Sequence, residues 1–115
     1  MFLFIGGKGI NGYTGFSMIN IVYRVVIQEG KEEVFKKLAE SVLIPEAVKM
    51  PGCTRFSLFR NGADSREFIF FETWDNEQSI HDYKQRLISR LGEPRPGEEF
   101  PEAMNSLIVE DEDLL

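Results

Sequence analysis

The stretch MINIVYRVVIQ, residues 18–28, constrains the fold more than any other part of the chain. Its density of isoleucine and valine is typical of a β-strand. Alternate side chains of a strand point to opposite faces, and both faces are apolar here, with Ile19 and Ile21 on one and Val22 and Val26 on the other. Such a strand is expected near the centre of a sheet, with a cover on each side.

A helical pattern follows this strand. Residues 31–43 carry Glu32 and Glu33 in their first turn, which favours a helix N-terminus, and their apolar residues recur at helical spacing. Pro45 cannot occupy the interior of an unbroken helix, so we expect it in the first turn of a short second helix over residues 45–50. Pro51 and Gly52 then end the helical region.

A β-hairpin is predicted next. Residues 54–60 alternate along the strand, NGADS is a turn signal, and residues 66–74 form the returning strand of the pattern. Asp75 or Asn76 is then suited to cap a helix.

The helix beyond this cap has an inner stripe that includes Ile80, Tyr83 and Leu87, and Gly92 ends it. A proline-rich connection, predicted to hold no helix, leads to a last strand over residues 104–110. The acidic residues after that strand are expected to form a solvated tail.

The order β-α-(α)-β-β-α-β is the split β-α-β pattern of ferredoxin-like folds. It predicts an α+β fold in which a four-stranded antiparallel sheet carries its helices on one face. The other sheet face keeps apolar side chains from several strands, and a bare apolar face of that size needs a cover. A second copy is the usual cover, so we expect a homodimer through this sheet face.

The first residues differ from the rest of the chain in being rich in glycine. We therefore predict a domain over residues 18–115 and a Gly-rich N-terminal extension over residues 1–17, which is either flexible or adds a strand. Gly7, Gly9 and Gly12 match the G-x-G-x-x-G spacing of dinucleotide sites. The helix that must follow this motif is absent from the pattern, so we favour a simple extension.

Charge restricts the partners. The 115 residues carry a formal net charge of −6, whereas nucleic-acid-binding surfaces are basic. No apolar run approaches the roughly 20 residues that span a bilayer, and a single cysteine, Cys53, fits a reducing compartment. We expect a cytoplasmic protein with neither nucleic acid nor membrane as a partner. No metal site is predicted, because the acidic residues lack His or Cys companions at ligand spacing.

Three stretches resemble the antibiotic biosynthesis monooxygenase (ABM) family: VVIQEGKEEVFKKL, MPGCTRFSLFR and REFIFFETWDNEQSIHDY. The likeness covers about residues 18–110 and implies a dimeric α+β barrel. Some members oxygenate electron-rich aromatic substrates without metal or flavin. The resemblance therefore implies a monooxygenase that needs no cofactor and acts on a small aromatic, enol or quinol substrate. The alternative is a non-catalytic dimeric module of the same fold that binds a small ligand or serves a stress response.

Three residues are candidates for catalysis by this resemblance. Trp74 occupies the strand end where the family carries a tryptophan, and it either stacks on a flat substrate or packs in the core. Tyr83 lies on the inner helical stripe, where it is either a hydroxyl donor or a packed aromatic. His81, the only histidine, is a candidate base, although helical geometry favours a solvated position for it.

Five further residues are expected to line a substrate pocket: Tyr23, Phe56, Phe71, Asn20 and Arg24. Asn20 and Arg24 share a strand face and can supply polar groups either to the pocket or to a dimer interface. Haem-degrading relatives carry Asn before the corresponding Arg, so Tyr23 argues against haem degradation. Cys53 is more simply a small buried hydrophobe than a nucleophile.

Overall fold

The architecture is an α+β fold, as the order of elements predicts. A computed structural model describes residues 2–8 and 18–115. The elements in chain order are β1 Phe2–Lys8, β2 Ile19–Ile27, α1 Glu32–Leu38, a π-helical turn Ala39–Leu43, α2 Ile44–Val48, β3 Cys53–Asn61, β4 Glu67–Trp74, α3 Glu77–Leu91, α4 Glu102–Asn105 and β5 Ile108–Asp113. None of the helices described is long and apolar enough to cross a membrane.

The sheet has five strands in the order β1-β3-β4-β2-β5, and all neighbours are antiparallel. β2 has a strand neighbour at each edge, as its predicted place near the centre of the sheet requires. The predicted sheet has four strands, and the fifth comes from the Gly-rich extension, because Phe2–Lys8 pairs with the outer edge of β3. Gly9 and Gly12 of the glycine motif lie outside the described residues.

The helices cover one face of the sheet, and the main core lies beneath them. Its most buried members include Phe35, Leu43, Leu58, Phe68 and Trp74. Burial of each such side chain contributes about 1.5–3 kcal/mol relative to exposure. This packing fixes which strand positions face the helices.

The opposite sheet face has no cover within the described chain. Phe59 and Phe71 are only partly buried there, with ring centroids 5.4 Å apart. Phe4 of β1 extends this aromatic group, at 5.3 Å from Phe59 and with 60% of its surface exposed. The open face is therefore apolar at the end where β1 joins the sheet.

Pro45 lies in the first turn of α2, as predicted, but the helical region is continuous around it. Ala39–Leu43 forms a π-helical turn that runs directly into α2. Proline has no N–H to donate to the carbonyl four residues earlier. The wider π-helical turn accommodates that missing bond without interrupting the helical path.

The C-terminal region differs from prediction at two points. The connection predicted to hold no helix ends in the one-turn α4, which Pro101 precedes at the N-cap position, where proline's missing N–H costs little. The last strand begins at Ile108, not at residue 104, and continues to Asp113. The acidic residues 111–113 are exposed, as predicted for a solvated tail, but they also continue the strand and pair with β2.

Candidate active site

A cavity of about 190 Å³ lies between the sheet and α3. Most of its wall is apolar or aromatic and comes from Ile21, Tyr23, Leu43, Phe56, Phe70, Ile80, Tyr83, Leu87, Ile88, Phe100, Pro101 and Met104. Four charged residues complete the wall: Glu72, Lys84, Glu99 and Asp113. An apolar cavity with a few polar groups is the usual form of a small-molecule site.

The regular elements place these side chains by their periodicity. The two-residue period of a strand puts Glu72 on the same face as Phe70 and Trp74. Its Cα partners on the neighbouring strands are Ile21 and Phe56, so apolar side chains flank the carboxylate on both sides. Desolvation of Glu72 follows from this neighbourhood.

Helix α3 supplies the facing wall. Asn76 caps the helix, since its Oδ1 accepts a hydrogen bond from the Ser79 N–H at 2.8 Å. The stripe that begins at this cap then turns Ile80, Tyr83 and Leu87 toward the sheet. The cap thus sets the rotation that brings the stripe over the cavity.

Glu72 is the chemically distinctive residue of the wall. Its Oε1 accepts a hydrogen bond from the Trp74 Nε1–H at 2.9 Å. Burial raises the pKa of Glu72 to about 7, although the indole hydrogen bond and the charge of Lys84 act in the opposite direction. Both protonation states therefore exist near neutral pH, which is the condition that suits a general base.

Trp74 lies behind the wall and not in it. The side chain is completely buried, its ring centroid is 5.5 Å from that of Tyr83, and it is not among the residues that line the cavity. Its direct link to the cavity is the hydrogen bond to Glu72. Trp74 thus holds the carboxylate in place from the core side.

Each of the two tyrosines of the wall donates its hydroxyl proton in a hydrogen bond to another residue. Tyr83 donates to the Leu43 carbonyl at 2.9 Å, and burial, followed by the charge of Glu72, places its pKa well above the ordinary value. Tyr23 donates to Asp111, and burial, followed by that hydrogen bond, raises its pKa strongly. Both residues present neutral aromatic rings to the cavity.

The structure brings Tyr23, Phe56 and Tyr83 together on the cavity wall, and it places the other predicted site residues elsewhere. His81 is exposed on α3 and lies outside the wall.

Asn20, Arg24 and Phe71 lie on the open face of the sheet. There Asn20 accepts a hydrogen bond from Thr73, Arg24 pairs with Glu67 at 2.8 Å, and Phe71 packs on Phe59. Because strand side chains alternate, the positions that face the open side cannot reach the cavity.

Glu72 is not among the residues singled out from the sequence. The signal that points to it is its spacing from Trp74, because a residue two positions before an inward-facing tryptophan in a strand must also face inward. In residues 2–8 and 18–115, no group of three or more His, Cys, Asp or Glu side chains is arranged to hold a metal ion.

The sequence pattern of the family described as "Antibiotic biosynthesis monooxygenase" matches residues 18–90. The chain therefore belongs to the ABM family, which confirms the resemblance seen in its three short stretches. A search of curated proteins finds no sequence match.

Solved structures show the same fold at low sequence identity. Two of them are named putative monooxygenases. The one from Nitrosomonas europaea has a TM-score of 0.66 and a sequence identity of 14%, and the match covers 89% of this chain and 90% of that protein. The one from Fusobacterium nucleatum has a TM-score of 0.71 and a sequence identity of 8%. The match covers 97% of this chain but 46% of that protein, so this chain spans about half the length of the Fusobacterium nucleatum protein. Protein SO0527 from Shewanella oneidensis has a TM-score of 0.64 and 18% identity, over 86% and 88% of the two chains.

Proposed function

We propose that the protein is a cofactor-independent monooxygenase of a small electron-rich aromatic, enol or quinol substrate. Family membership and the monooxygenase-named structures support the class of reaction. The observation that carries the proposal is Glu72, a carboxylate with a pKa of about 7 in the wall of an otherwise largely apolar cavity. The cavity of about 190 Å³ is small for a ligand site and suits a substrate of one or two rings.

The first step is removal of the substrate's hydroxyl proton by Glu72. A phenol has a pKa of about 10, so a base with a pKa near 7 is a closer match than an ordinary carboxylate with a pKa of about 4.3. The negative charge moves from Glu72 to the substrate, so the total charge inside the cavity does not change. The apolar wall keeps water from competing for the proton.

The substrate anion then supplies the electrons. One electron passes to O₂, and the two radicals combine to form a C–O bond to a peroxide that takes the proton back from Glu72. Loss of the ring proton breaks the O–O bond, and the leaving hydroxide carries that proton away as water. For a phenol, one substrate molecule and one O₂ give one quinone and one water, and Glu72 is again a carboxylate.

The aromatic wall positions the ring during these steps. Tyr23, Phe56 and Tyr83 contribute aromatic rings to the cavity wall, and Trp74 acts as a positioning residue through its hydrogen bond to Glu72. We assign the role of base to Glu72 and not to His81, because His81 is exposed outside the cavity wall.

The test is O₂ uptake with a panel of phenols and hydroquinones, followed by mass analysis of the product formed under isotopically labelled O₂. We expect uptake that depends on the enzyme and a product that gains one labelled oxygen atom. Release of hydrogen peroxide without label in the product would contradict a monooxygenase. Tight binding of these compounds with no O₂ uptake would favour the alternative, a ligand-binding module.

We also propose that two copies pack through the open sheet face. The partly exposed rings of Phe4, Phe59 and Phe71 support this, because a face of this kind is usually covered. Sedimentation at micromolar concentration should give a dimer, and Phe71→Asp should give a folded monomer. A monomeric wild-type protein would contradict the proposal.

A further inference from the structure

The acidic residues of β5 fall on both of its faces, and in the described part of the chain only one of these faces has a positive partner. Glu110 and Glu112 face the open side, where their carboxylate oxygens lie 2.9 and 3.6 Å from Arg24 Nη1. Asp111 and Asp113 face the helix side because strand side chains alternate. Among the described residues, neither of these aspartates forms an ion pair with a lysine or arginine.

Asp113 belongs to the cavity wall. Its Cα partner on β2 is Tyr23, whose hydroxyl donates to Asp111. Burial is the main reason for the high pKa of Tyr23, and the charges of Asp111, Glu99 and Asp113 raise it further. This end of the cavity therefore has a negative potential.

One cationic side chain lines the cavity in the described part of the chain, and it already has a partner. Lys84 Nζ lies 3.2 Å from Glu99 Oε1, so these two charges largely cancel. Glu72 and Asp113 are the carboxylates of the wall that have no ion-pair partner within residues 2–8 and 18–115. Both carboxylates would repel an anionic ligand in the cavity, because its apolar lining screens charge poorly.

We propose that Asp113 makes the cavity select uncharged or ammonium-bearing ligands and reject anionic ligands of the same shape. The inference rests on the proposed function, since it assigns the charge class of the substrate bound there. A neutral phenol or enol gives its proton to Glu72 without adding charge to the cavity. A carboxylate, sulfate or phosphate on the same ring adds a negative charge beside Asp113.

Three hydroquinones of similar shape test this selection: methylhydroquinone is neutral, gentisate is anionic, and aminomethylhydroquinone is cationic. Binding is followed without O₂ through the fluorescence of Trp74, the only tryptophan, whose indole contacts Glu72. Gentisate should bind about 10–100-fold more weakly than methylhydroquinone. Aminomethylhydroquinone should bind at least as tightly as the neutral compound.

A matched pair of variants locates the effect on one face of β5. Asp113→Asn should tighten gentisate binding about 3–10-fold and change methylhydroquinone binding by less than about 2-fold. Glu112→Gln removes the same charge one residue earlier, on the open face beside Arg24. This control should alter neither affinity.

Equal binding of gentisate and methylhydroquinone would overturn the inference, and so would equal effects of the two variants. Failure of all three compounds to bind would also overturn it, because the cavity would then not hold this class of ligand. The expected selectivity without O₂ uptake in air would leave the inference intact and refute the proposed oxygenation.

Discussion

Two glutamates on the helix side of the sheet have opposite electrostatic environments. Glu46 in α2 is 1% exposed and lies within 2.6–3.2 Å of Arg90, Arg86 and Lys49. The Arg86 hydrogen bond is the main reason that its pKa falls to about 2, against the effect of burial. Among the side chains that the structure describes, the neutral indole of Trp74 is the one hydrogen-bond donor to Glu72 in β4, and burial raises the pKa of this carboxylate to about 7.

The difference separates a carboxylate that stabilises the fold from the one that we propose as the base. The cations around Glu46 link α2 to α3, and they keep its carboxylate ionised at neutral pH. Among the described residues, no cation lies within ion-pair distance of Glu72. The indole and the charge of Lys84 offset its burial only in part, so its ionised form is costly and its proton is exchangeable near neutrality. Carboxylates that stabilise a fold and carboxylates that act on a substrate can thus be told apart by their partners.

The largest effect is expected from Glu72→Gln on turnover. The amide keeps the shape and the hydrogen bond from Trp74 but cannot accept a proton, so kcat/KM for a hydroquinone should fall about 10²–10⁴-fold. In the wild type, kcat/KM should rise with pH through about 7 as Glu72 ionises. The measurement is O₂ uptake across this pH range.

His81→Ala is the matched control for that loss. It removes the only histidine of the chain from an exposed position outside the cavity wall. The dependence of kcat/KM on pH should be the same in His81→Ala as in the wild type. If it disappears in His81→Ala and persists in Glu72→Gln, the base is His81.

The same Glu72→Gln change should stabilise the protein at alkaline pH. The pKa of Glu72 is raised from 4.5 to about 7 on folding, so the folded state holds a proton that the unfolded state has released. Stability therefore falls as pH rises from 4.5 to about 7. Glu72→Gln does not undergo this loss. Its free energy of unfolding should exceed that of the wild type by up to about 3 kcal/mol at about pH 8 but by less than about 1 kcal/mol at about pH 5. Urea unfolding of both proteins at the two pH values tests this, and equal stability at the higher pH would contradict a desolvated Glu72.

The central elements could be predicted from the sequence because their signals are local. Residues 18–28 predicted a strand near the centre of the sheet, and the structure confirms it with a neighbour at each edge of β2. The cover predicted for its second face stays a prediction. The cap at Asn76 and the stripe containing Tyr83 likewise depend on short-range spacing. These features need no knowledge of distant partners.

The site residues depend on contacts that no local pattern contains. In the sequence Glu72 resembles any strand carboxylate, because its burial depends on α3 and residues 99–101, which lie beyond its own strand in the chain. His81 is a candidate by its residue type alone, although it is exposed. The acidic stretch after Ile108 has low β-propensity, yet the free edge of β2 and the charge of Arg24 hold it as a strand. In each case tertiary packing overrides the local signal.

Glu46→Gln should destabilise the protein by about 1–3 kcal/mol near neutral pH, through weaker hydrogen bonds to Arg86 and Arg90. The pKa of Glu46 is lowered on folding from 4.5 to about 2, so the unfolded state binds more protons between these values. The stabilisation is thus present above 4.5 and is lost as pH falls toward about 2. Urea unfolding should show the two proteins converging in acid, while Glu40→Gln, an exposed change in the adjoining π-helical turn, should match the wild type throughout.

The smallest expected effect is a shift of the pH profile in Trp74→Phe. The indole hydrogen bond lowers the pKa of Glu72 against the effect of burial. Its loss should move the midpoint of the kcat/KM profile upward from about 7 and lower turnover several-fold at neutral pH. Tyr83→Phe is the control, because that hydroxyl bonds the Leu43 carbonyl and not Glu72, so its midpoint should stay in place. A midpoint that moves equally in both variants would mean that loss of packing, and not the indole donor, sets the pKa of Glu72.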